Sequence, residues 1–121
     1  MLNRKIQRIK PKLIFSLKVR GFSLEERCCA LATSILKKYL EEERLSSVVV
    51  VSKHHSFIKV DNLIIDPTIR QFFLSESGKT LKTIPQIFVG TKKQLEQLFQ
   101  KHKSQRFLPI SVNELYGFSS T

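Results

Sequence analysis

The chain has 121 residues, 41% of them hydrophobic, with 21 Lys and Arg against 10 Asp and Glu and a formal net charge of +11. That length and composition suit one domain around one core, and no stretch approaches the roughly 20 consecutive apolar residues of a membrane helix. Two adjacent cysteines, Cys28 and Cys29, exclude a disulfide framework, and no Cys or His spacing of the zinc-binding kind occurs.

Free thiols suit a reducing cytoplasm as the place of action. The basic N-terminus lacks the apolar run of a secretory signal, so delivery would need a secretion system that uses none. The charge excess favours anionic partners. Much of it is local: residues 1–20 carry Arg4, Lys5, Arg8, Lys10, Lys12, Lys18 and Arg20 and no acid.

In chain order, Ile6, Ile9, Leu13, Ile14 and Leu17 recur at helical spacing, with Pro11 expected to kink or split the helix and Gly21-Phe22 to end it. Ser23-Leu24-Glu25-Glu26 reads as a capping box and predicts a helix over 24–43. Its inward face would hold Cys28, Leu31, Ile35, Leu36 and Tyr39 or Leu40. Three strands are expected at 47–52, 56–60 and 63–66, the last two joined by Asp61-Asn62, residue types that tolerate a left-handed backbone. The segment 75–79 reads as a loop and 86–89 as a short strand. Thr91 and Gln94 cap a helix to about Lys101, and Ser111 with Glu114 opens a late short one. Helices followed by a run of antiparallel strands predict an α+β domain.

Three features converge on one chemistry. A cysteine near a helix start feels the positive end of the helix dipole, which lowers its pKa, and the free amides there can hold an oxyanion. His55 opens the second strand, and Asp66 ends the third. The two-residue turn brings them onto neighbouring strands at about the same level. Asp66 could then orient one imidazole nitrogen while the other faces a thiol. His54, pointing the other way, is expected at the surface.

The segment from His55 to Thr68, with its Asp66-Pro67-Thr68 end, resembles the His-x-aromatic…Asp-Pro-Thr block of papain-like and transglutaminase-like proteins. Its continuation through Gln71 and Phe72 is similar to the form found in small bacterial members. Cys28-Cys29-Ala30-Leu31-Ala32 resembles the Cys-x-x-x-Ala of the core helix, a register that selects Cys28 over Cys29 as nucleophile. The resemblance covers roughly residues 21–90, and it is closest to bacterial papain-fold toxin and effector domains, which include protein glutamine deamidases. It implies that 1–121 is a single papain-like catalytic domain with a basic leading segment, in which a helix carrying the cysteine packs on a small antiparallel sheet. The implied catalytic set is Cys28, His55 and Asp66. The implied chemistry is amide hydrolysis or acyl transfer through a thioester, without metal or cofactor; deamidation, peptidase and transamidase activity share that intermediate. No Gln stands shortly before the cysteines to complete an oxyanion hole, so backbone amides or a distant residue such as Gln7 would have to serve. The aromatic after the histidine is Phe57 where relatives carry Trp.

Other residues have plainer readings. Thr68 and Gln71 pin the turn after Asp66, the alternative for Gln71 being a place in the cleft lining. Phe57, Phe72, Phe73 and Phe88 belong to the core, except that one of the adjacent pair Phe72 and Phe73 is expected to wall the cleft. His102 would be a charge at a helix C-terminus, and Lys92, Lys93, Lys101, Lys103 and Arg106 a solvated face. The expected partner is a protein substrate with an acidic surface, and an inhibitor or immunity protein would follow from a toxin role. A rival reading, from charge alone, is a basic nucleic-acid-binding module without catalysis. No helix-turn-helix, zinc-finger, RRM or KH signature supports it.

Overall fold

The computed structural model describes residues 2–24, 26, 28–73, 83–106 and 110–118. The elements are α1 (Leu2–Val19), α2 (Cys29–Glu42), β1 (Val48–Val51), β2 (Ser56–Val60), β3 (Leu63–Asp66), a 3-10 turn (Ile69–Phe72), β4 (Phe88–Gly90), α3 (Lys92–Lys101), a second 3-10 turn (Lys103–Gln105) and α4 (Val112–Tyr116). The strands form one antiparallel sheet in the order β1-β2-β3-β4. The α+β class and the antiparallel sheet agree with the sequence reading; the loop expected at 75–79 lies outside the described residues.

Both faces of the sheet are covered, and strand alternation divides the core in two. Ile58 and Ile65 join Ile9, Leu13 and Leu17 of α1 and Ala32, Leu36 and Leu40 of α2 on one face. Phe57 and Ile64 join Phe72, Leu95, Phe99 and Tyr116 on the other. The β2–β3 hairpin closes at Asp61, whose φ of 54° is the left-handed conformation expected of its turn. Among the described residues, no helix is long and apolar enough to cross a membrane.

The helices depart from expectation at their ends. α1 runs through Pro11 without a break. Proline removes one backbone hydrogen bond, but Ile6 and Ile9 before it and Leu13 and Leu17 after it bury on the same face and hold the axis together. The helix ends in a Schellman motif: Phe22 N–H donates to the Leu17 carbonyl at 2.8 Å and Gly21 N–H to the Lys18 carbonyl at 3.0 Å, with Gly21 at φ 83°. The second helix starts at Cys29, five residues later than Leu24. Ser23 and Glu26 make a turn of their own, with Glu26 N–H donating to the Ser23 carbonyl at 3.2 Å. Leu24 and Cys28 both bury in the α1–α2 core, which draws this segment off the axis of α2. β4 pairs from Phe88, where Asp66 faces it, and not from Gln86, because the next residue across the ladder would be Pro67, which has no N–H to donate.

α2 also ends in a Schellman motif, with Leu45 N–H donating to the Leu40 carbonyl and Arg44 N–H to the Glu41 carbonyl, each at 2.9 Å. Here the left-handed residue is Arg44, at φ 60°. Its Cβ strains a conformation that glycine adopts freely, so Arg44→Gly is expected to stabilise the fold by about 0.5–1 kcal/mol, read as a higher midpoint in urea without a change of slope.

Candidate active site

Asp66 ends β3 with none of its surface exposed. A buried carboxylate needs donors, and three elements supply them. The Thr68 backbone N–H donates to Oδ1 at 3.0 Å, closing the turn after Pro67. His55 Nε2 lies 2.8 Å from Oδ2, and the Tyr116 hydroxyl, from α4, donates to the same oxygen. Burial pushes the Tyr116 pKa well above its ordinary value, with the Asp66 charge and hydrogen bond adding to it, which keeps the phenol in its donor form.

His55 stands just before β2 and is 3% exposed. Its ring is packed edge-on by Phe72, centroids 4.7 Å apart, and by Tyr116 at 5.2 Å, while Phe57 stacks beside it at 6.2 Å. Ser52 fixes the backbone below: its hydroxyl accepts from His55 N–H at 3.1 Å and donates to the Leu115 carbonyl at 2.5 Å, tying the histidine loop to α4. Burial is the largest influence on the imidazole and disfavours its charge. The Asp66 charge and hydrogen bond, then those of Cys29, together outweigh it and raise the pKa to about 9.

The nitrogen not held by Asp66, Nδ1, is buried and has no well-aligned hydrogen-bond partner. The group that acts on the ring besides the carboxylate is the Cys29 thiol. Its interaction with His55 is the largest influence on Cys29 and lowers the thiol pKa; burial opposes this, and hydrogen bonding to Ser56 assists. Cys29 is half-buried and is the first residue of α2. That position puts its sulfur at the positive end of the helix, among amides with no intrahelical acceptor.

Cys28, the residue selected from the motif register, occupies a different place. It is the residue before the helix, with φ −123° and ψ 35°, and its thiol donates to the Ser23 carbonyl at 3.3 Å. Burial, the Glu26 charge and the Cys29 charge raise its pKa. The thiol that acts on His55 is therefore that of Cys29 and not, as expected, that of Cys28. The cause is the helix boundary: Cys28 stands outside α2 in a non-helical conformation that turns its thiol back to Ser23 and into the α1–α2 core, while Cys29, the first helical residue, turns its thiol toward the imidazole.

Other expected positions can be placed as well. His54 is exposed. Gln71 Nε2 donates to the Thr68 hydroxyl at 2.7 Å, pinning the turn as expected. Gln7 is no neighbour of the thiols: Lys5 and Arg8 bond Glu43 at the far end of α2, about 20 Å from Cys29. Phe72 and Phe73 are both buried, so neither walls a cleft; the backbone turns from 3-10 to extended at Phe73, and both rings reach Phe99. His102 is buried at the end of α3, with Nδ1 bonded to Gln105 at 2.9 Å. Arg106 lies over the Phe99 ring, 4.6 Å from its centroid, and donates to the Ile110 carbonyl, so it is no part of a solvated face. Tyr116 was not foreseen; it lies 50 positions beyond Asp66 with no motif around it.

No family model matches this chain, and no curated protein or solved structure matches it significantly.

Two substitutions check the site. Asp66→Asn removes the largest of the influences that raise the His55 pKa, so that pKa should fall well below about 9, read by NMR titration of the ring. Tyr116→Phe leaves a buried carboxylate oxygen short of one donor and should cost about 1–3 kcal/mol of stability in urea unfolding.

Proposed function

We propose that the protein is a cysteine-dependent amide hydrolase or acyltransferase of papain-like type, with Cys29 as nucleophile, His55 as base and acid, and Asp66 as the group that orients His55. The observation that carries this reading is geometric: Asp66 Oδ2 lies 2.8 Å from Nε2 of the buried His55, and the Cys29 thiol at the start of α2 acts on the same ring, which lowers the thiol pKa and helps raise that of the imidazole to about 9. Such a pair favours thiolate and imidazolium together. The thiolate attacks a carbonyl carbon, and the amides at the start of α2 receive the developing oxyanion. The C–N bond then breaks, His55 gives its proton to the leaving nitrogen, and a thioester remains on Cys29. Water, deprotonated by His55, releases the acid and restores the thiol.

The preferred substrate in this reading is the carboxamide of a glutamine on another protein, converted to glutamate with loss of ammonia, in the setting of a bacterial toxin or effector. Support comes from the resemblance of the block running from His55 to Gln71. An acidic substrate surface suits the charge of +11.

Mass spectrometry after iodoacetamide treatment tests the nucleophile. Label is expected on Cys29 well below the pH of an ordinary thiol, and Cys28→Ser should leave the rate within about twofold, because Cys28 is turned to Ser23. Labelling that favours Cys28, or that follows an unperturbed thiol, removes the reading.

The pH dependence has a definite sign. The thiolate exists above the lowered Cys29 pKa, and the imidazolium is lost as pH rises through about 9. Hydrolysis of a p-nitroanilide or release of ammonia from glutaminyl protein should therefore fall above about pH 9, while alkylation, which needs only the thiolate, stays fast. Parallel loss of both would contradict the assigned role of His55.

A further inference from the structure

Among the described residues, nothing pairs with the outer edge of β4. β4 pairs with β3 alone, and among the described residues its backbone makes no other hydrogen bond. α1 and α3 flank this edge and wall a groove of about 640 Å³ along residues 85–89. An unpaired edge carries a row of amides and carbonyls at the spacing of another strand.

The walls are chemically consistent with that use. Asn3 and Gln7 on α1 and Gln97 on α3 offer carboxamides, which donate to and accept from a peptide backbone. Lys10 on one wall and Lys101 on the other supply a cation each, and among the described residues no acid lines the groove. Ile87 and Leu98 give apolar surface for alternate side chains. Register places Phe88 of β4 directly opposite Asp66, one strand from the carboxylate of the candidate site.

We propose that this groove binds an acidic segment of a partner protein in extended form, added to β4 as a fifth strand. Main-chain bonds to the edge supply the affinity, and the lysines on the two walls select the charge. The chain's own charge of +11 disfavours a second copy as occupant. Where the thiol chemistry above holds, this segment is the part of the substrate that is held rather than cut; the binding itself does not depend on that reading.

The test uses the full chain carrying Cys29→Ala, so that turnover plays no part. The probe is an end-blocked hexapeptide of alternating glutamate and valine, titrated while the backbone amides of residues 86–90 are followed by NMR. Saturable shifts confined to that edge and its walls are expected. The same peptide with lysine for glutamate should bind at least about tenfold more weakly, as should the glutamate peptide to Lys10→Glu/Lys101→Glu. Two N-methylated versions, blocked at alternate amides, separate strand addition from simple charge capture: the set facing β4 should lose binding and the set facing away should keep it. If the two methylated peptides bind alike, if acidic and basic peptides bind equally, or if no saturable shift appears up to millimolar peptide, the proposal is overturned. It also fails if sedimentation shows a dimer whose β4 amides are already protected without peptide.

Discussion

A carboxylate with no exposed surface must be met by donors from the protein, and meeting the demands of Asp66 organises much of this molecule. Its three partners come from the turn after β3, from the segment leading into β2, and from α4 near the end of the described chain. The electrostatic demand of one oxygen atom thus joins segments that lie far apart in sequence. Tyr116 brings with it the rings of Phe57, Phe72 and Phe99, each packed edge-to-face against it, so the apolar core beneath the site and the polar contacts within it share residues.

The same carboxylate sets the balance on His55. Burial alone would make this histidine neutral, and a neutral ring beside a thiol gives no ion pair. Asp66 reverses that outcome, and the charge then acts in turn on Cys29. The two thiols, adjacent in sequence, consequently diverge in character: one is lowered by an imidazole, the other raised by burial in the α1–α2 core. Which thiol receives which environment is decided by where α2 begins.

The sheet has two unequal edges. β1 presents Val48 and Val51 to solvent, at 61% and 72% exposure, while β4 lies sunk between two helices. A sunken edge is protected from indiscriminate pairing but accessible to a segment that fits between its walls, which is why charge on those walls carries more information than charge on the open face of α1.

Much of this was legible in the residues. The strand-like runs on either side of the Asp61-Asn62 turn located the β2–β3 hairpin to the residue, and Thr91 with Gln94 located the start of α3, because these signals are local and satisfied by neighbours in sequence. The pairing of His55 with Asp66 was legible for the same reason: a two-residue turn leaves little freedom in how its strands face each other. What the residues alone left open was decided by distant contacts. Pro11 was overruled by the burial of apolar residues on both sides of it. The capping pair at Ser23 and Glu26 was overruled by Leu24 and Cys28 entering the core, which moved the helix start and transferred the imidazole's partner from Cys28 to Cys29. The role of Tyr116 depended wholly on the packing of α4 against the opposite face of the sheet. Local hydrogen bonding can be read from a few adjacent residues, but the side on which a side chain finds its partner depends on burial against elements that only the folded chain brings near.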